Sequence, residues 1–199
     1  SSVVCPDDVG ATDTDQDGSC DAQDPCTNEG GGRDFLSQPR SSLVLTRVHT
    51  DRVAGDDGVK LTAWFTLPEG RSFAELRPHM HGVRLVIEGA GGSRPLDAAL
   101  PPGAYSAATR YGWKPSGSGK SWTFLDRRAA PVNGIVKLSL TDRGRAGTPR
   151  QVKAVVTGKN GVYPVAPTDL PLQVRLTLGD ATDAAAGLCA ESAYASTSC

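Results

Sequence analysis

Hydrophobic and polar positions alternate with a period of two along most of the chain after residue 42. Leu43, Leu45 and Arg47 alternate with Val44, Thr46 and Val48. Val59, Leu61, Ala63, Phe65 and Leu67 alternate with Lys60, Thr62, Trp64 and Thr66. Leu172, Val174, Leu176 and Leu178 alternate with Gln173, Arg175 and Thr177. Successive side chains of a strand point to opposite faces, so each pattern predicts a half-buried strand. Shorter, more apolar runs at 83–87, 96–100, 122–125, 135–140 and 152–156 predict further strands. Turn signals separate them: Asp57-Gly58, Gly91-Gly92, Pro101-Pro102-Gly103, Asn133-Gly134 and Asn160-Gly161. Only Ser72 to Leu76 has the character of a short helix. About eight strands with no long helix predict an all-β fold, an antiparallel β-sandwich, with a barrel as the alternative.

Composition agrees with short elements joined by turns, with 23 Gly, 14 Pro and a single Met among 199 residues. No apolar run reaches bilayer length, so no membrane span is expected. Ser1 opens a polar, acidic stretch with no signal peptide in view, and an export signal would already have been removed. Charge changes the picture more. The net charge of −1 divides into −8 over residues 1–34 and +7 over the remainder. The acids of the first part are spaced at regular intervals, with Cys5, Cys20 and Cys26 among them.

Asp13-Thr14-Asp15-Gln16-Asp17-Gly18-Ser19-Cys20-Asp21-Ala22-Gln23-Asp24 follows the ligand plan of a twelve-position calcium loop. Asp13, Asp15, Asp17, Asp21 and Asp24 supply carboxylates at positions 1, 3, 5, 9 and 12. Ser19 supplies the position 7 carbonyl, and Gly18 permits the sharp turn. Without a hard cation these carboxylates would repel one another. Pro25 follows directly, where the second helix of an EF-hand would begin, and residues 1–12 carry no amphipathic pattern. The motif Asp-x-Asp-x-Asp-Gly-x-x-Asp-x-x-Asp-x-Cys over residues 5–26, with Cys5-Pro6 and Pro25-Cys26 flanking it, resembles a thrombospondin type 3 repeat. The resemblance implies that the five aspartates bind Ca2+, that the segment has little regular secondary structure, and that Cys5 pairs with Cys20. Its interval between Cys5 and Cys20 is shorter than is usual in that family.

All five cysteines lie in the first 26 or last 11 residues, away from the apolar runs, which points to crosslinks in an oxidising, extracellular setting. The spacing of Cys189 and Cys199 permits a disulfide between them, leaving Cys26 unpaired or bonded to another molecule. The alternative ties one of the two to Cys26. The expected organisation is a calcium-binding segment over 1–26, a linker over 27–41, glycine-rich at 30–32, and a sandwich over 42–199.

Other chemistry is sparse. Gly117-Ser118-Gly119-Lys120-Ser121 looks like the end of a phosphate loop, but Lys114 stands where the first glycine belongs and a strand follows, so a hairpin loop is expected. His49, His79 and His81 would suit a metal ion only if the fold gathers them, and sequence does not show whether it does. Tyr105, Tyr111, Trp113 and Trp122 crowd one loop-rich region as candidate sugar or partner contacts. Trp64, on the polar side of its strand, should point outward and is a further candidate contact. No nucleophile elbow or zinc-protease motif occurs, and the basic residues are scattered along strands, unlike a nucleic-acid patch. The expected role is therefore non-enzymatic: a secreted, calcium-stabilised structural module of an extracellular surface assembly such as a filament or adhesin. Its partners would be other copies of itself or cell-surface proteins, and the opposite charges of its two parts would suit head-to-tail contacts. A carbohydrate-binding module recognising polysaccharide is the alternative.

Overall fold

The computed structural model describes Cys26, Phe35, residues 40–48 and residues 54–195. Within them ten strands form two antiparallel sheets. The strands are β1 (Ser42–Thr46), β2 (Asp57–Thr66), β3 (Val83–Glu88), β4 (Leu96–Leu100), β5 (Tyr111–Pro115), β6 (Ser121–Asp126), β7 (Ile135–Asp142), β8 (Gln151–Gly161), β9 (Leu172–Thr177) and β10 (Cys189–Tyr194). The six-stranded sheet runs β1-β2-β8-β7-β6-β5 and the four-stranded sheet β10-β9-β3-β4. This is the expected sandwich. The eight strands read from the sequence are all present, joined by β5 and β10. A 3-10 turn at Phe73–Glu75 stands where a short helix was expected. Two single-turn helices, α1 (Pro78–His81) and α2 (Ala181–Ala185), were not foreseen.

Register carries the alternation across each sheet. Leu61, Val156, Leu138, Phe124 and Trp113 lie in one row on the inner face of the larger sheet, all buried. Leu85, Leu176, Ala98 and Ala190 do the same on the smaller sheet. Burying each such leucine or phenylalanine contributes about 2 kcal/mol, so these rows set the register. Phe35, inside the expected linker, belongs to this core. It is 4% exposed, its N–H donates to the Glu191 carbonyl at 2.9 Å, and its ring lies 6.2 Å from that of Phe65.

β5 is an outermost strand of the larger sheet, and irregular chain packs against it. The stretch at 103–105 lies along β5, with the Trp113 N–H donating to the Gly103 carbonyl at 2.9 Å and the Tyr105 N–H to the Trp113 carbonyl at 2.8 Å. α1 closes the same region, where His79 stacks on Trp122 with ring centroids 4.6 Å apart. Gly112 permits the close approach: a Cβ there would sit 2.7 Å from the Ala104 carbonyl oxygen, and its φ of +127 suits only glycine.

Candidate functional site

The aspartates read as calcium ligands (Asp13, Asp15, Asp17, Asp21 and Asp24), Ser19, the Cys5–Cys20 pair, Cys199 and His49 lie outside the described residues. The structure does show where that acidic segment is fastened. Cys26 is bonded to Cys189, 163 positions later, with Cα atoms 5.7 Å apart. This corrects the expectation of a Cys189–Cys199 disulfide and of an unpaired Cys26. The short loop between 189 and 199 had favoured the local pair, but β10 runs through Cys189 and holds its side chain on the outer face of the smaller sheet, where Cys26 meets it.

That outer face is not open to water. Along register it carries Cys189, Thr177, Glu191, Arg175 and Val86, each at most 4% exposed, and Cys26 is fully buried. Arg175 Nε donates to Glu191 Oε2 at 2.9 Å, and its Nη1 lies 3.8 Å from Glu88 Oε2. Gln173 Nε2 donates to the same Glu191 oxygen at 3.3 Å, and Arg94 Nε to Glu88 Oε2 at 2.9 Å. A buried guanidinium and carboxylate are tolerated only when paired in this manner.

The aromatic cluster does not form an open platform. Trp113, offered above as a ligand contact, is 1% exposed, and its indole N–H donates to the Pro101 carbonyl at 2.9 Å. β-alternation puts it on the inner face beside Phe124, with centroids 5.2 Å apart. Trp122 and Tyr111 share that face and pack against the core, half-buried. Tyr105, also half-buried, has the Lys114 ammonium 5.6 Å from its ring centre. Trp113 is thus a core residue, and Tyr111 and Trp122 pack against that core.

Tyr111 also supports an ion pair in which the carboxylate is buried and the guanidinium partly exposed. Arg128 lies 4.1 Å over its ring and grips Asp126 with two bonds, Nε to Oδ1 at 2.9 Å and Nη2 to Oδ2 at 2.6 Å. The backbone N–H groups of Arg128 and Val132 donate to the same carboxylate, each at 3.1 Å. Burial alone would raise the Asp126 pKa, but the Arg128 guanidinium and the two N–H groups outweigh it and hold the carboxyl below its ordinary 3.8. A carboxyl lowered on folding contributes stability above its unfolded pKa and loses it as pH falls through the folded value. Asp126→Ala is expected to cost about 3 kcal/mol at neutral pH. In denaturant titrations stepped down through pH 4, Asp126→Asn should lose less stability than the parent. Equal losses would mean the pair does not govern acid sensitivity.

The outer face of the larger sheet has another character. Trp64 points outward there with Thr62 and Thr66, as the alternation required, and is half-buried. Its own chain covers part of it: Lys153, its register partner on β8, lies 5.4 Å from the ring centre, and Arg40 lies 5.7 Å from it. A groove of about 410 Å³ opens beside it, lined by Arg40, Trp64, Arg143, Arg145 and Gln151 together with Asp142. Register across β2, β8, β7 and β6 builds three outward rows: Trp64-Lys153-Thr141-Ser121, Thr62-Val155-Ser139-Thr123 and Lys60-Thr157-Lys137-Leu125. The rows contain no carboxylate. Among the described residues, Arg40, Lys60, Lys137, Arg143, Arg145 and Lys153 take part in no ion pair. Sequence reading saw these cations as dispersed. Their common signal was parity, since Lys60, Lys137 and Lys153 each occupy an outward position of their strand.

The three histidines do not gather, so far as they are described. His79 packs on Trp122, and His81 faces α2. There His81 Nδ1 lies 3.4 Å from Asp180 Oδ2 and 3.3 Å from Asp183 Oδ2, three residues that could each offer a divalent ion one atom. The carboxylates already have work. Asp180 Oδ1 accepts from the N–H groups of Thr182 and Asp183 at 2.9 and 3.0 Å, and Asp183 Oδ2 accepts from that of Asp180 at 3.0 Å, a reciprocal cap of α2. The Asp183 backbone contact and then the His81 ring hold the Asp180 carboxyl below its ordinary range. The cluster joins positions 99 apart in sequence, which is why no local spacing revealed it.

Comparison with protein-family models, with curated proteins and with solved structures finds no match for this chain. No helix among the described residues is long and apolar enough to cross a membrane.

Proposed function

We propose that this chain is a secreted, calcium-stabilised structural module, a building block of an extracellular surface assembly that acts through contacts with other copies and not through catalysis. The observation that carries the reading is the Cys26–Cys189 disulfide. It fixes the chain two residues beyond Asp24, the last position of the acidic pattern, to a strand of a rigid sandwich. A calcium-ordered segment anchored in this way would be a stiff extension of the module. The disulfide also fits an oxidising, extracellular compartment. The aromatic region that suggested polysaccharide binding is used in closing the sandwich, so the structural reading gains over the carbohydrate one.

Under this proposal Asp13, Asp15, Asp17, Asp21 and Asp24, with the Ser19 carbonyl, hold one Ca2+ at about 2.3–2.6 Å, as the likeness to a thrombospondin type 3 repeat implies. Calorimetric titration of chelated protein should show uptake of one ion. Asp17→Ala should lose most of the affinity and Asp8→Ala little. Negative-stain images of native material should show regular polymers that chelator loosens. No calcium uptake would remove the calcium part of the proposal, and native material that is monodisperse at all concentrations would remove the assembly part.

A further inference from the structure

We infer that the outer face of the six-stranded sheet is a docking surface for the acidic N-terminal segment of a second copy of this chain, so that copies join head to tail. The inference rests on the assembly reading above and names the contact through which assembly proceeds.

The first observation is the face itself. Lys60 and Lys137 share one register row across β2, β8 and β7, and Lys153 stands on β8 two rows along, beside Trp64, with Arg40, Arg143 and Arg145 at that end. Between the cations lie hydroxyls and small apolar groups, and no carboxylate stands in the three rows. Folded sheets usually intersperse both signs on a solvent face. Cations that take no ion pair within the chain keep their full electrostatic reach for an anionic partner, and the half-buried Trp64 indole adds a rigid apolar anchor beside them.

The second observation is the complementary charge and where it is tied. Residues 1–34 carry a formal −8, and one bound Ca2+ would leave −6. Cys26, which ends the acidic pattern, is bonded to Cys189 on the outer face of the other sheet. Cys26 thus lies on one side of a two-layer sandwich and these cations stand on the opposite side, two sheets packed about 10 Å apart between them. A module with unlike opposite faces pairs one face with the other face of its neighbour. Such a heterologous contact builds a ring where the rotation between copies closes and an open filament where it does not.

The test uses the full chain. Sedimentation velocity should show self-association at about 0.05 M salt that largely disappears near 0.5 M, where screening is strong. Lys137→Glu with Lys153→Glu, the first exposed and the second half-buried beside Trp64, should weaken association at least about tenfold while the chain still melts cooperatively. Asp7→Lys with Asp8→Lys, residues outside the calcium pattern, should weaken it likewise. Mixing the two double variants should restore association, because the lysines at positions 7 and 8 of one then meet the glutamates at positions 137 and 153 of the other. Polymers that form equally well from the Lys137/Lys153 variant would overturn this contact while leaving assembly standing. Native and recombinant chain that stays monomeric at every salt concentration would overturn assembly and the contact together. Retention of the monomeric chain on an acidic polysaccharide, lost in the Lys137/Lys153 variant, would overturn the self-contact and give the face to a glycan.

Discussion

Replacing Cys26 and Cys189 together by serine is expected to lower unfolding free energy by roughly 5 kcal/mol, the cost the chain-entropy relation assigns to a loop of this size. The loop spans 163 positions and so encloses nearly all of the sandwich. A second effect should accompany the loss. Val86, Thr177 and Arg175 are buried on a face that a two-sheet core does not itself cover, and Cys26 is part of what lies on it. Amide exchange should therefore quicken in β3, β9 and β10 of the double variant and change little in β7 and β8. Guanidinium titration and exchange mass spectrometry read the two effects separately. A stability change under about 1 kcal/mol would show that the disulfide closes a loop the unfolded chain had already closed.

The second large effect belongs to the Arg175–Glu191 pair. Their side chains are 4% and 3% exposed, and the Nε–Oε2 bond is 2.9 Å. Arg175→Ala is expected to cost about 3–5 kcal/mol, because it removes the guanidinium that pairs with both the buried Glu191 and Glu88. Glu191→Ala should cost a similar amount. Arg175→Met combined with Glu191→Leu should recover most of the loss, since a buried ion pair contributes little beyond what apolar groups of like volume supply. Urea titrations of the three variants form the check. Additive losses in the combined variant would mean the two side chains act independently.

The sandwich was legible because inner-face burial imposes a period of two, and β2 and β9 show it without interruption. β10 escaped because its outer residues Cys189 and Glu191 are buried as deeply as inner Ala190, which erases alternation. β5 escaped because Gly112 and Pro115 read as turn residues, although Gly112 is needed for contact with Ala104 and Pro115 stands on the outermost strand. The outward direction of Trp64 followed from parity alone. Trp113 was read as a surface contact because its strand, β5, was not recognised, and with it the alternation that turns this ring inward. The Cys26–Cys189 bond, the Arg175–Glu191 pair and the His81 contacts share a limit. Each depends on which strands become neighbours, and residue spacing holds no record of that.

The strip of chain at 103–105 that lies along β5 bears on how this protein avoids misassembly. An outermost strand with unmet N–H and C=O groups is a template onto which a stray extended segment can pair. Here the Trp113 N–H and C=O are both engaged by Gly103 and Tyr105, and Pro115 offers no N–H. The middle of that border is thereby covered against strand donation, which removes a starting point for amyloid-type growth there.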